Sequence, residues 1–194
     1  MQLQSNKKKL AQGGLWDYAL RSLDRRAFSQ AELRKKLSLR AESPAVLNEV
    51  MAKLQEYGML DDKRFAEVYA ASRLEGQGFG AGRVLRDLRA KRVNSAEAEQ
   101  AVSEVYAQTD ELTLASNFLA RKLRGKDLTE YLAEEKHLLS AFRRLRVAGF
   151  SSSVALKVLK SHSRRAEELE EIESEPEGQD EDEVSGRPAG STED

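Results

Sequence analysis

The chain has 194 residues, of which 40% are apolar and 34% charged, with three prolines, no cysteine and a net charge of −1. The lack of cysteine excludes disulfides and cysteine-based zinc sites, and no apolar run approaches the ~20 residues that a membrane-spanning helix needs. The near-neutral total conceals a separation: residues 166–194 hold 13 acidic residues and one arginine, which leaves residues 1–165 at +11. That balance points to polyanionic partners, nucleic acid first among them.

In chain order, residues 1–14 read as a flexible basic N-terminus without the apolar stretch of a secretory signal. A first helix is expected over about Leu15–Arg26, with Trp16 and Tyr18 in its core. Ser29 with Glu32 has capping-box spacing and opens a second helix. Ser43 followed by Pro44 opens a third, and Gly58 stops it. Together these make a three-helix unit over 15–58.

The second unit, 59–108, begins with the adjacent carboxylates Asp61 and Asp62. A metal would need further ligands that no spacing supplies, whereas an N-cap needs only one oxygen there. The helix is expected over Asp62–Leu74. The glycine-rich stretch "GQGFGAG" (76–82) follows no strand and lacks a Gly-Lys-Ser/Thr ending, so it does not read as a phosphate loop. It is expected to end one helix and start the next with close backbone approach. In that next helix Val84, Leu85 and Leu88 form a buried face. Arg83, Arg86 and Arg89 fall on the opposite side, with Lys91 and Arg92 at the end. Asn94 with Glu97 opens the unit's last helix.

The third unit, 109–163, starts with a helix over about Glu111–Arg124. Asp127 with Glu130 again has capping-box spacing. Arg143, Arg144 and Arg146 make a second arginine cluster, as Arg34, Lys35 and Lys36 do in the first unit. Residues 164–194 have almost nothing apolar to bury and are expected to be a disordered acidic tail. Tethered to a basic body, a run such as Asp180–Glu183 is expected to fold back on it.

The three units are copies. Residues 33–54, 84–105 and 141–162 align without a gap. Leu37 falls on Leu88 and Leu145, Val50 on Ala101 and Val158, and Met51 on Val102 and Leu159. Ser43, Asn94 and Ser151 stand ahead of the last helix each time, where an oxygen must accept an orphan N–H. The fold class is therefore all-α, three tandem three-helix repeats with about nine helices.

Several segments carry a resemblance: "YALRSLDRRAFSQAELRKKL", "LQEYGMLDDKRFAEVYAASR", "GFGAGRVLRDLRAKRV" and "FRRLRVAGFSSSVALKVL". Over roughly residues 15–162 the chain resembles the RecX family of RecA regulators. The resemblance implies a curved, elongated molecule with no active site. It also implies binding in the groove of the RecA filament on single-stranded DNA, with reduced ATP hydrolysis and strand exchange. DNA repair, homologous recombination and the SOS response are its implied setting, in the cytoplasm, with the protein a monomer that needs no cofactor. Family members often have Gly where Arg92 stands, and the acidic tail is not part of the family pattern.

Two other readings fare worse. A helix-turn-helix protein acting directly on DNA would use one of the last helices of the units for recognition; only the third unit's, with Lys157 and Lys160, suits a groove, and the second unit's would be Ser95–Gln108. That segment has Glu97, Glu99 and Glu104 and no Lys or Arg, so phosphates would repel it. An enzyme would need a reactive cluster, and the two histidines, His137 and His162, lie on different helices. The partner-binding candidates are therefore the three basic clusters.

Overall fold

The computed structural model describes residues 9–163 and Ala166. The acidic tail, Ala166 apart, and residues 1–8 lie outside the described residues. Among the described residues ten helices run in order: α1 Gln12–Arg25, α2 Gln30–Ser38, α3 Pro44–Glu56, α4 Asp62–Ser72, α5 Ala81–Ala90, α6 Ser95–Tyr106, α7 Glu111–Lys122, α8 Leu128–Tyr131, α9 Glu135–Val147 and α10 Ser152–Lys160. A π-helical turn, Arg73–Gln77, continues α4. One isolated backbone bridge, Leu10 with Ala41, is the sole strand-like pairing among the described residues.

The helices sort into three cores, one per repeat, and Leu60, at the expected start of the second unit, is buried in the first of them. Leu37, Leu88 and Leu145, aligned in sequence, are fully buried one per core, and the aligned pairs Val50/Met51, Ala101/Val102 and Val158/Leu159 are buried beside them. A fully buried leucine contributes roughly 1.5–3 kcal/mol of apolar transfer, so the periodic positions hold each unit closed. The expected caps form. Ser43, Asn94 and Ser151 accept backbone N–H groups at the starts of α3, α6 and α10. Asp61 caps α4 through the N–H of Arg64. The reciprocal box forms at Ser29, whose hydroxyl accepts from Glu32 N–H while the Glu32 carboxylate accepts from Ser29 N–H. Asn94 instead takes the N–H of Ala96.

Two further boundaries differ from expectation. Residues 10–14 belong to the first unit rather than to a flexible N-terminus. Leu10 N–H donates to the Arg40 carbonyl at 2.7 Å, and Glu42 N–H donates to the Leu10 carbonyl at 3.0 Å. This pins the segment from which α1 starts. At the other end Ala166 is buried in the third core, beyond the expected end of the unit at Ser163. The third unit also carries the extra short helix α8, with Asp127 as its cap.

The glycine-rich stretch joins units rather than binding a ligand. Gly78 ends the π turn in the left-handed region, φ 60°. Gly80 N–H donates to the Ala148 carbonyl at 2.9 Å, and Gly82 N–H to the Gly149 carbonyl at 3.2 Å. A Cβ on Gly80 would stand 2.6 Å from the carbonyl carbon of Gly149, and one on Gly149 would stand 2.6 Å from Arg83 Cβ. Two backbones meet here with no room for a side chain. Between them Phe79 lies against Phe118 of the third unit, centroids 6.2 Å apart. Its carbonyl accepts from Tyr106 Oη at 2.7 Å. Burial pushes the Tyr106 hydroxyl up to about 12, so it keeps the proton it donates.

Candidate functional site

Helix α5 reaches both neighbouring units. Val84 and Leu88 seat it in the second core, which turns its arginines outward. They do not act as one face. Arg83 Nε donates to Asp87 Oδ1 at 3.0 Å, one turn on. Arg89 pairs with Glu99 of α6 at 3.3 Å. Arg86 crosses to the third unit and donates to the Val147 carbonyl at 3.0 Å. Arg86 is thus a structural tie, and so is Arg146, which donates to the Phe150 carbonyl at 3.0 Å.

At the C-terminal end of α5, Lys91 turns to the first unit. Its Nζ donates to Glu32 Oε1 at 2.8 Å, its carbonyl accepts from Ser29 Oγ at 2.7 Å, and nearby Gln30 N–H donates to Asp62 Oδ1 at 2.8 Å. Burial alone would raise the Glu32 carboxyl, but the hydrogen bond and charge of Lys91, with Arg26, outweigh it and hold the group below the usual carboxylate range. Asp62 is pushed up, by burial first and then by the charges of Asp61 and Glu32, against the opposing bond from Gln30.

Around this junction lies a cleft of about 950 Å³ lined by Arg26, Arg34, Lys35, Lys36, Lys91 and Arg92, with Glu32 as its one acid among the described residues. The cleft unites the first basic cluster with the end of the second. Arg34 is held against Asn48 of α3. The Arg26 guanidinium stacks on Phe28 at 3.5 Å, and Lys36 lies 5.0 Å from the same ring. Arg92 is exposed on a left-handed backbone, φ 59°, the one non-glycine residue in that region among the described residues.

A second cleft, about 470 Å³, opens between α5, α7 and α9. Phe79, Phe118, Val147 and Ala148 supply its apolar lining, and Arg83, Lys122, Arg143 and Arg144 its cations. Here the start of the α5 cluster meets the third-unit cluster. A smaller recess of about 350 Å³ holds the two tied arginines, Arg86 and Arg146, beside Glu111. Arg89 apart, which pairs with Glu99 of its own unit, the candidate clusters are therefore brought together where units meet. Arg26 and Lys122 were missed by sequence reasoning. Each sits in a basic pair outside the aligned clusters, Arg25–Arg26 and Arg121–Lys122, and only the packing of a neighbouring unit makes it part of a cleft.

Residues 16–54 match a family model described as RecX, first three-helix domain, and residues 61–102 one described as RecX, second three-helix domain. A regulatory protein RecX from Streptomyces coelicolor is 31% identical over 132 residues, 68% of this chain and 68% of that protein. The chain belongs to the RecX family. A RecX from Vibrio vulnificus is 30% identical over 135 residues, 70% of this chain and 84% of its own. Two solved structures share the fold, each at a TM-score of 0.64 over 77% of this chain. One is titled regulatory protein RecX, at 22% identity over 71% of that chain. The other is RecX from Lactobacillus salivarius, at 19% identity over 95% of its chain. Both family models fall within the first two units, and the first cleft is built from those same two units.

Proposed function

We propose that this chain regulates the RecA recombinase without chemistry of its own. It lies in the groove of the RecA filament on single-stranded DNA and lowers ATP hydrolysis and strand exchange, acting as a monomer in the cytoplasm. The observation that carries the reading is the pair of basic clefts on a RecX fold, spaced along three units in series. A filament repeats protein and phosphate along its axis, and a string of similar units is suited to engage successive repeats. The apolar lining of the second cleft, set among cations, fits a protein surface. The first, almost wholly cationic, fits phosphate.

The test is ATP hydrolysis by RecA of the same organism on single-stranded DNA, titrated with this protein. Hydrolysis is expected to fall at amounts stoichiometric with the filament. An unchanged rate across that range overturns the reading.

A further inference from the structure

The first cleft holds a feature that regulation of RecA does not by itself explain. Arg92 follows α5, where the chain must enter the left-handed region before Val93 returns to the core. Glycine meets that requirement without steric penalty, and a side chain there is strained. Arginine gains nothing locally in exchange. Its side chain is exposed, and among the described residues no carboxylate lies within ion-pair distance of it. A strained backbone that carries an unpartnered cation into a cleft is a sign of a contact made with something else.

The walls of the cleft indicate what that is. Among the described residues six cations face one acid, and the acid, Glu32, is already bonded to Lys91 and in contact with Arg26. Protein interfaces are depleted of charge at their centres, unlike this cleft. The aromatic ring within it, Phe28, is buried and covered by Arg26 and Lys36, so it offers no open face on which a base could stack. The ligand is met through its charge.

We infer that the cleft between the first two units binds the sugar–phosphate backbone of single-stranded nucleic acid directly, independent of sequence, and that Arg92 is one of its phosphate contacts. The inference rests on the reading above for the nucleic-acid component, and its main test needs no RecA. The probe is a fluorescein-labelled oligothymidylate, its anisotropy titrated with the full chain and with Arg92→Gly over a range of salt. Glycine suits this backbone, so the variant folds, and its Tm is expected to rise by about 2–4 °C. Affinity for the oligonucleotide is expected to fall about fivefold at low salt. The slope of log K against log salt should fall by about 0.7, the value for one contact on a single strand. Equal affinity and slope for the two proteins overturn the inference, whatever the Tm. So does a loss that appears only with RecA protein in the absence of DNA, which would assign the cleft to an acidic protein face. If the oligonucleotide results are as expected while RecA hydrolysis is untouched by the wild-type chain, the cleft stands and the regulatory reading falls.

Discussion

The two junctions between units are made by opposite means. The first joins side chains: Lys91 to Glu32, Ser29 to the Lys91 carbonyl, Asp62 to the Gln30 N–H. The second joins backbones, with Gly80 and Gly82 bonded into Ala148 and Gly149 and with Phe79 laid against Phe118. A side-chain junction tolerates adjustment and responds to salt and pH. A backbone junction without space for a Cβ does neither, so the second and third units should behave as one body and the first as the adjustable one.

The largest effect should come from Gly149→Ala. Its φ of 99° is foreign to alanine, and the new methyl would meet Arg83 and the Gly80 carbonyl. A loss of about 3 kcal/mol or more is expected, seen as a fall in Tm of at least about 6 °C by calorimetry. A fall of less than about 2 °C would show that the junction gives way easily, contrary to its geometry.

Next is the first junction's ion pair. Lys91→Met leaves the partly buried Glu32 with Arg26 as its remaining ion-pair partner, beside the Ser29 N–H, and should cost about 1 kcal/mol at low salt, less at high salt. Arg86→Ala removes one bond to the Val147 carbonyl and should cost a similar amount, about 1 kcal/mol, with little dependence on salt. Urea denaturation of both variants at low and high salt checks this pair, and equal salt response would erase the distinction between the junctions.

A smaller effect concerns pH. The folded carboxyl of Glu32 lies below its usual range. Its contribution is therefore complete above the unfolded value and is lost as pH falls through the folded one. Asp62 is raised and works in the opposite sense, because proton uptake there favours the folded state. The stability difference between wild type and Glu32→Gln should be largest near neutrality and vanish in acid. Asp62→Asn should steepen the acid loss. Denaturation curves between pH 3 and 6 decide, and a difference that persists at the acid end would count against the Lys91 pairing.

The smallest effect is on the tail. Because Ala166 is buried in the third core, truncation must end beyond it, for example after Glu168. Binding of the truncated chain to the RecA filament on DNA should tighten slightly at low salt, and the gap should close as salt rises. Equal affinities at low salt would leave the acidic residues a solubility role.

Much of this fold is legible in the sequence because helices are local objects. Ser29 and Glu32, or Ser43 and Pro44, lie within one turn of each other, and Leu37, Leu88 and Leu145 repeat the same local role. The fate of the arginines is not legible in that way. Arg86 and Arg89 are three residues apart on one exposed face, yet one is tied to Val147 and the other to Glu99. Nothing nearby in sequence announces either partner. The close approach at "GQGFGAG" was readable from its glycines, but its partner, Gly149, was not, since a single glycine after α9 reads equally well as a helix stop. Clefts that form only where units meet lie beyond the reach of any pattern within a unit.

The π-helical turn at Arg73–Gln77 has a consequence of phase. An α-helix turns by about 100° per residue, and a π turn takes in one residue more than an α turn. The chain therefore leaves α4 rotated by about that angle from where an uninterrupted helix would release it. That rotation, with the left-handed Gly78 that follows it, sets the direction in which the chain brings Phe79 to Phe118 of the third unit. Deleting one residue within the turn would restore the α phase and swing Phe79 off its seat on Phe118, with every buried residue of the three cores unchanged. Like a gear cut with one extra tooth, the segment sets the bearing of one unit on the next by counting residues.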